Sequence, residues 1–351
     1  MSWDVNVRKV VPYVPGEQPK SKDVIKLNTN ECPYAPSPMV LEAIKAYDGS
    51  DLRKYPDTDA TDLVDELART YHLNKEQIFV GIGSDDVLSL AFLTYFNSEK
   101  PILFPDITYS FYDVWADLYH IPYETKALDE NFNIKKEDYL CDNGGVIIAN
   151  PNAPTGAELP LSEIEEIIAY NKDKVVIIDE AYVDFGAESA ISLIDKYDNL
   201  LVVQTFSKSR ALAGIRIGMA FGQEKIIKYL KDVKFSFNSY TLNPITIAVG
   251  AAALKDEKYF ADITEKTVAT RERTKQELKA LGFTFADSKT NFIFAKHATK
   301  DAKDIFEALK AQNIFVRYWN KPRINNFLRI SMGTDEQMDK MLEFLKGYLN
   351  G

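Results

Sequence analysis

The stretch NLLVVQTFSKSRALAGIRIG, residues 199–218, joins an apolar run to a segment that holds Ser207, Lys208 and Arg216. The apolar run shows little alternation, which is typical of a strand buried on both faces of a parallel sheet. Most lysines lie in solvent, and this is the plain alternative for Lys208. However, small and apolar residues surround Lys208, and a lysine partly removed from water can attack a carbonyl group as an amine. The stretch therefore indicates an α/β fold with a candidate amine nucleophile where a buried strand ends.

Apolar runs of the same kind recur along the chain. They are QIFVGIG at 77–83, PILF at 101–104, GVIIAN at 145–150, VVIIDEA at 175–181 and GMAFG at 218–222. Most are separated by segments long enough for a crossover helix, such as the helical pattern DDVLSLAFLTYF at 85–96. We therefore predict a mostly parallel sheet between helices.

Changes in the pattern of prolines, apolar runs and charged residues along the chain predict three parts. Residues 1–30 are punctuated by prolines and lack a helical or strand period, so we expect an extended arm. The buried strands and their helices predict a large domain at 31–255. Residues 256–351 begin with a long charged helix and continue with shorter amphipathic strands and helices, which is typical of a smaller α+β domain. Two domains imply a cleft.

The composition limits the class of protein. The 351 residues carry a formal net charge of −10, which argues against a general binder of nucleic acid or anionic membranes. Cys32 and Cys141 are too few for a disulfide framework or a thiolate metal site, and the three histidines lie singly, so we expect no metal. No apolar stretch is long enough for a signal peptide or a membrane span, so we expect a cytoplasmic protein.

Ligands of open parallel sheets bind outside the carboxyl ends of the strands, so the polar residues there are the candidates for a site. In GIGSDD, Ser84 and Asp85 stand where backbone amides and a helix dipole suit a phosphate, although either residue could simply cap the helix. In NPNAPTG, two prolines hold Asn152 at the sheet edge, although turn chemistry alone would explain it. In VVIIDEAYVDF, Asp179 leaves a buried strand and needs a partner, either a cationic ligand nitrogen or an arginine.

Together these groups fit the cofactor pyridoxal 5'-phosphate. It needs a lysine for its aldehyde, a carboxylate for its pyridine nitrogen, and donors for its phenolate oxygen and phosphate. Lys208 and Asp179 match the first two needs, and Tyr182 follows Asp179 by three positions. No single motif compels this cofactor, but the combined order of the groups indicates it.

Over nearly its whole length the chain resembles the fold-type I aminotransferases, which are pyridoxal-phosphate-dependent transferases. The motifs that carry the resemblance are PYVPG, LNTNECP, RKYPD, GIGSDD, FPDITYSFY, NPNAPTG, IIDEAYVDF, FSKSRALAGIRIG, IFVR and FLRIS. The SK pair followed by AGIRIG is specific to the superfamily, whereas DEAYVDF and RKYPD resemble the branch that acts on histidinol phosphate. Two departures are SDD in place of the family's SDE, and NSYTLN around Tyr240, whose role is therefore in doubt.

The resemblance implies a role for each cofactor residue. Lys208 would bind the aldehyde covalently, Asp179 would pair with the pyridine nitrogen, and Tyr109 would stack on the ring. Tyr182 and Asn152 would hold the phenolate oxygen. The residues implied at the cofactor phosphate are Ser84, Asp85, Ser207 and Arg216, and Tyr55 would reach the phosphate of the other subunit's cofactor. The role of Tyr55 implies a homodimer, which is also a common state for soluble enzymes.

The resemblance also implies a substrate site. Arg329 in FLRIS matches the arginine that aminotransferases use for a carboxylate, and Arg317 in IFVR stands nearby in the sequence. Aided by Tyr13 and Asn30, these arginines could hold a phosphate or a carboxylate, because guanidinium groups match both anions. Surface positions are the plain alternative for both arginines, and Arg323 is a further candidate that the family pattern does not clearly support.

The implied reaction is transfer of the amino group of L-histidinol phosphate to 2-oxoglutarate, giving imidazole acetol phosphate and L-glutamate. Lys208 would move the proton as general base and acid. The alternatives are an aromatic amino acid aminotransferase, a pyridoxal-phosphate-dependent decarboxylase of an amino-acid phosphate, and a ligand-binding module that keeps the fold without turnover.

Overall fold

The computed structural model describes residues 2–19, 21 and 23–350. Residues 1, 20, 22 and 351, which fall in the predicted arm and small domain, lie outside the described residues. Ten α-helices are seen in this part of the chain: α1 Pro38–Ala46, α2 Thr61–Tyr71, α3 Gly83–Tyr95, α4 Tyr112–Tyr119, α5 Leu161–Tyr170, α6 Glu224–Phe237, α7 Pro244–Lys255, α8 Glu257–Ala280, α9 Ala302–Ala311 and α10 Asp335–Asn350.

Thirteen strands are seen in the same described ranges. They are β1 Ile25–Lys26, β2 Ile78–Gly81, β3 Ile102–Pro105, β4 Tyr123–Lys126, β5 Gly145–Ala149, β6 Val176–Asp179, β7 Leu200–Thr205, β8 Gly218–Phe221, β9 Phe283–Phe285, β10 Phe292–His297, β11 Ile314–Phe315, β12 Arg317–Tyr318 and β13 Leu328–Ser331. Short 3-10 helices occur at Trp3–Asn6, Gly49–Arg53, Lys75–Gln77, Lys136–Tyr139, Val183–Phe185 and Ala190–Leu193.

The central sheet has seven strands in the order β2-β8-β7-β6-β5-β3-β4. The strands from β7 to β4 pair in parallel, whereas β8 pairs antiparallel with both β7 and β2. The chain between β7 and β8 contains turns and no helix, so it returns β8 beside β7 in the opposite direction. The mostly parallel sheet expected from the apolar runs is therefore confirmed.

Helices cover both faces of the central sheet, which explains why its strands other than the edge strand β4 are mainly apolar. Val176 and Ile178 face one core with residues of α1, α2, α5 and α7. Ile177, between them, faces a second core with residues of α3, α4 and α6. Successive side chains of a strand point to opposite faces, so both sets must be apolar here.

The carboxyl-terminal third forms its own antiparallel sheet, in the order β12-β13-β10-β9, and a third core with α8, α9 and α10. The arm enters this region, because β1 pairs in parallel with β11 and Leu27 lies in the third core. The segment IFVRYW at 314–319 forms two short strands separated by Val316, because β11 pairs with β1 and β12 pairs with β13. The boundary at residue 255 falls at the end of α7, and the division into domains stays a prediction.

Candidate active site

The carboxyl ends of β5, β6 and β7 and the start of α3 surround a cleft of about 290 Å³. Residues predicted for the cofactor that line it are Ser84, Asp85, Tyr109, Asp179, Tyr182, Ser207, Lys208 and Arg216. This cleft adjoins a larger one of about 770 Å³, and Asp85, Tyr109, Tyr182 and Lys208 line both. The structure therefore brings together residues that are distant in the sequence.

Lys208 is half-buried, and its Nζ lies 5.5 Å from the centroid of the Tyr182 ring. The Tyr182 hydroxyl accepts a hydrogen bond of 2.8 Å from Asn30 Nδ2, and its ring meets Phe292 edge to face. The plain surface position considered for Lys208 is therefore wrong, because the side chain lies within the cleft. Its amine stands where a carbonyl group entering the cleft could reach it.

Asp179 is the last residue of β6 and is 5% exposed. Its Oδ2 accepts a hydrogen bond of 2.7 Å from the Tyr112 hydroxyl, and its Oδ1 accepts a longer one of 3.3 Å from the Ala181 amide. Burial raises the pKa of Asp179 to about 6, against the opposing effects of these two hydrogen bonds and of Lys208. The side-chain partner of Asp179 is thus a tyrosine rather than the arginine considered from the sequence, and the carboxyl is ionised near neutral pH.

A chain of polar contacts joins α3 to the segment after β7. The Tyr109 hydroxyl donates to Asp85 Oδ1 at 2.7 Å, Asp85 Oδ2 lies 3.5 Å from Arg216 Nη2, and Arg216 Nη1 donates to Ser207 Oγ at 3.4 Å. Burial and the charge of Asp85 raise the pKa of Tyr109 well above its usual value, so it remains a donor. These contacts hold the residues predicted for the phosphate in one network.

The start of α3 is open to an anion. Its N-cap residue is Ile82, which has no side-chain cap, while Asp86 Oδ2 accepts from the Ile82 amide at 2.9 Å. The capping role considered for Ser84 or Asp85 is therefore wrong. Ser84 and Asp85 of the first turn line the cleft together with Arg216, and the amino-terminal end of a helix suits a phosphate.

Asn152 differs from the other predicted cofactor residues. It is buried behind Pro151 and Ala153, which line the cleft. Its Nδ2 donates to the Ile107 carbonyl and to Thr155 Oγ1, and its Oδ1 accepts from Thr108 Oγ1. The structure shows the turn role for Asn152, and its bond to the cofactor stays a prediction.

The residues predicted for the substrate line the larger cleft. The Arg329 Nη2 donates to the Asn28 carbonyl at 2.8 Å, and burial lowers the pKa of Arg329. Trp319 lies beside both guanidinium groups, with its ring centroid 5.2 Å from Arg329 Cζ and 5.3 Å from Arg317 Cζ. Tyr13 stacks on Phe111 at 4.2 Å between ring centroids. The surface positions considered for the two arginines are wrong, because both side chains face the cleft.

Asn30 and Arg323 have structural contacts of their own. Asn30 Oδ1 accepts from Ser331 Oγ while Nδ2 holds Tyr182, so this residue positions the tyrosine as well as lining the cleft. Arg323 pairs with Asp106 at 2.6 Å and donates to the carbonyls of Leu128 and Asp129. These contacts account for Arg323 without a substrate.

Tyr55 and Tyr240 lie outside the residues that line either cleft. Their ring centroids are 4.5 Å apart, and Tyr55 is 81% exposed. Tyr55 therefore does not line the cleft of its own chain. Tyr112 and Trp319 are site residues that sequence reasoning missed, because a large aromatic residue is most often only part of a core.

Comparison with known proteins agrees with this geometry. The family model described as Aminotransferase class I and II matches residues 22–345. The chain belongs to this family, and it is a pyridoxal-phosphate-dependent aminotransferase. The fold is that of the fold-type I enzymes.

Individual relatives narrow the comparison. The histidinol-phosphate aminotransferase of Lactococcus lactis subsp. cremoris strain MG1363 is 53% identical over 349 residues, covering 99% of this chain and 98% of the relative. That of Clostridium beijerinckii is 50% identical over 348 residues, covering 99% and 97%. The solved histidinol-phosphate aminotransferase of Sinorhizobium meliloti, in complex with pyridoxal-5'-phosphate, has a TM-score of 0.83 and 25% identity, covering 93% of this chain and 91% of that chain.

Proposed function

We propose that this aminotransferase transfers the amino group of L-histidinol phosphate to 2-oxoglutarate, a step of histidine biosynthesis that yields imidazole acetol phosphate and L-glutamate. The observation that carries the proposal is the continuity of the two clefts. Lys208 lines both, and Arg317 and Arg329 stand in the larger one. The amino group of a substrate could thus reach Lys208 while the substrate's anionic group contacts the guanidinium groups of Arg317 and Arg329.

The residues present fit pyridoxal phosphate, because a buried acid, a lysine and an open helix start face one cleft. Lys208 would hold the aldehyde and Asp179 the pyridine nitrogen, while Tyr109 would stack on the ring. The phosphate would lie against Ser84, Asp85, Ser207 and Arg216, and Tyr182 and Asn152 would hold the phenolate oxygen. When bound, the cofactor supplies an electron sink for the charge left on the substrate carbon.

The chain's own residues supply the proton chemistry. Lys208 Nζ, half-buried beside the Tyr182 ring, would take the proton from the substrate carbon that carries the amino group and deliver it to the carbon that carried the cofactor's aldehyde. Asp179, whose pKa is about 6, would keep the pyridine nitrogen protonated through a charge-assisted hydrogen bond. The hydrogen bond from Asn30 to the Tyr182 hydroxyl holds the Tyr182 ring in place beside Lys208.

The substrate anion is bound by arginines that are held in place by aromatic packing. Trp319 lies beside both guanidinium groups, and Phe292 lies 5.4 Å from Arg329 Cζ. Two guanidinium groups can bind a doubly charged phosphate, whereas a carboxylate needs only one. This arrangement favours the phosphate ester over an aromatic amino acid, and 2-oxoglutarate would use the same arginines through its carboxylates.

We also propose that the protein is a homodimer in the cytoplasm, in which Tyr55 serves the partner's cofactor. The exposure of Tyr55 supports this role. Both cysteines are free, as expected in a reducing compartment. None of the described helices is long and apolar enough to cross a membrane.

The test is a substrate comparison with purified protein loaded with pyridoxal phosphate. Glutamate formation from 2-oxoglutarate is measured with histidinol phosphate, with phenylalanine and with an amino-acid phosphate, and carbon dioxide is monitored. We expect kcat/KM for histidinol phosphate to exceed that for phenylalanine at least about tenfold, because a site built for two charges rejects an analogue that lacks one. A preference for phenylalanine, release of carbon dioxide, or the absence of turnover would each contradict the proposal.

A further inference from the structure

Tyr112 is buried behind the site and meets Asp179 from within the protein. It begins α4, its exposed fraction is 0%, and it does not line either cleft. Its ring packs between Phe104 and Phe92, with centroids 5.8 Å and 6.1 Å away. Aromatic packing on several sides leaves the ring little freedom, so the hydroxyl has a fixed direction.

The hydrogen bond from the Tyr112 hydroxyl makes the two carboxylate oxygens of Asp179 unequal. Oδ2 accepts the Tyr112 hydrogen bond of 2.7 Å, whereas Oδ1 accepts only the longer Ala181 bond of 3.3 Å. Each carboxylate oxygen can accept two hydrogen bonds, and the longer bond leaves Oδ1 the more weakly engaged of the two. Asp179 lines the cleft, and we expect the more weakly bonded Oδ1 to be the oxygen that a ligand meets there.

Building on the function proposed above, we propose that Tyr112 is a positioning residue that holds Asp179 Oδ2, so that Oδ1 meets the pyridine nitrogen and the carboxyl remains a carboxylate. Tyr112 itself does not touch the cofactor or the substrate. It acts only through Asp179, because its hydrogen bond orients the Asp179 carboxyl and stabilises the ionised form of that group.

The charge effect follows from the surroundings of Asp179. Burial raises its pKa to about 6, and the Tyr112 hydrogen bond is the largest effect that lowers it. The other groups that face it are Asp85 from α3, which raises the pKa, and Lys208 after β7, which lowers it. Tyr109, before α4, faces Asp179 too, but its hydroxyl is bonded to Asp85. Without the Tyr112 donor, the carboxyl would therefore hold its proton to a higher pH.

Tyr112 is suited to be a permanent donor. Burial and the charge of Asp179 raise the pKa of Tyr112 well above its usual value, so the hydroxyl keeps its proton at any physiological pH. A phenylalanine would keep the ring packing and remove only the hydrogen bond. Tyr139 offers a matched control, since it is equally buried and its hydroxyl has no hydrogen-bond partner among the described residues.

The experiment follows Asp179 in the full-length chain before cofactor is added. Aspartate is labelled with carbon-13 at its side-chain carboxyl, the Asp179 signal is identified by its loss in Asp179→Asn, and its titration is followed by NMR. We expect the midpoint in Tyr112→Phe to lie about one pH unit above that of the unchanged protein, the size expected for one hydrogen bond to a charged group. In Tyr139→Phe the midpoint should stay where it is.

A second variant guards against misfolding of Tyr112→Phe. Site-specific 3-fluorotyrosine at position 112 keeps the ring and makes the hydroxyl a stronger donor, so the midpoint should move to lower pH. An unchanged midpoint in Tyr112→Phe, or a rise with fluorotyrosine, would overturn the proposal. These titrations use neither cofactor nor substrate, so their outcome is separate from that of the histidinol phosphate assay. In the loaded enzyme, Tyr112→Phe should lower kcat at pH 7 roughly twofold and leave KM nearly unchanged, because a midpoint raised from about 6 to about 7 lowers the ionised fraction of Asp179 from about nine-tenths to about one half.

Discussion

Asp179 and Glu180 are adjacent acids at the end of β6, and their different surroundings give them different roles. Asp179 lines the cleft, whereas Glu180 is buried away from it. Glu180 accepts hydrogen bonds from Ser189 Oγ, the Ala190 amide and Gln204 Nε2. Burial nevertheless raises the pKa of Glu180 to about 7. Glu180 therefore ties three segments together, and Asp179 stays free for a ligand.

The raised pKa of Glu180 predicts a pH-dependent stability. The folded protein holds this proton up to about pH 7, whereas the usual value is 4.5, so the free energy of unfolding falls as the pH rises between them. From pH 5.5 to 8 this carboxyl should remove about 2 kcal/mol. Urea unfolding at the two pH values measures the loss, which Glu180→Gln should abolish and Glu188→Gln, at an exposed position, should leave intact. Equal pH dependence in all three proteins would count against this assignment.

The residues that bind through strand ends were predictable from sequence, but those that act through other side chains were not. Lys208, Asp179 and Ser84 each follow an apolar run, and the carboxyl ends of such runs meet at one edge of a sheet. The bond from Tyr112 to Asp179 joins separate elements whose packing sets the distance. Asn152 illustrates the converse, since its turn already uses its amide.

The start of α3 owes its position to a close approach between that helix and β8. Gly218 pairs with Gly81 across the two strands, and a Cβ at Gly218 would overlap with the backbone of Gly83 and Ser84. Gly83 has a φ of +81°, which favours glycine. The amides proposed for the phosphate are thus placed by backbone packing that only glycine permits.

Replacing Gly218 with alanine should therefore displace the start of α3. We expect pyridoxal phosphate to bind about tenfold more weakly, because overpacking of this kind costs about 1–3 kcal/mol. Cofactor affinity is measured by fluorescence titration, with Gly347→Ala as the control, since a Cβ there meets nothing within 4 Å. Binding of Gly218→Ala at the strength of the unchanged protein would show that the close approach is unimportant.

At the scale of elements, buried strands were easier to predict than edge strands. The runs at β2, β3, β5, β6, β7 and β8 were all found as strands. β4 was missed because its sequence, YETK, lies mostly exposed at the edge of the sheet and carries no apolar run. The break at Val316 was also missed, because it depends on pairing with β1 from the arm.

The whole molecule completes the site by bringing distant segments to one cleft. Tyr13 comes from the arm, Lys208 from the central sheet, and Arg317 and Arg329 from the carboxyl-terminal sheet. Sequence motifs predicted these residues individually, but their approach depends on tertiary packing. A Cβ at Gly16 would lie 3.3 Å from Arg317 Nη1, which shows how closely the arm passes the proposed anion site.

The dimer proposal predicts that two inactive variants regain activity when they form mixed dimers. Lys208→Ala lacks the amine, and Tyr55→Ala lacks the residue proposed to serve the partner's cofactor. In a mixed dimer, one of the two sites takes its lysine and its tyrosine from intact sources. Random pairing should therefore restore about a quarter of the full activity after unfolding and refolding together. Activity no higher than the sum of the separate variants would speak against a shared site.

The central claim is that Lys208 is the residue that carries the cofactor and the proton. Borohydride reduction of the protein saturated with pyridoxal phosphate, followed by peptide mass mapping, tests it directly. We expect the added pyridoxyl phosphate mass on the peptide containing Lys208. In Lys208→Ala we expect the visible absorbance of the bound cofactor to be lost and turnover to fall about a thousandfold. Labelling of another lysine with Lys208 unmodified, or full activity in Lys208→Ala, would contradict the account.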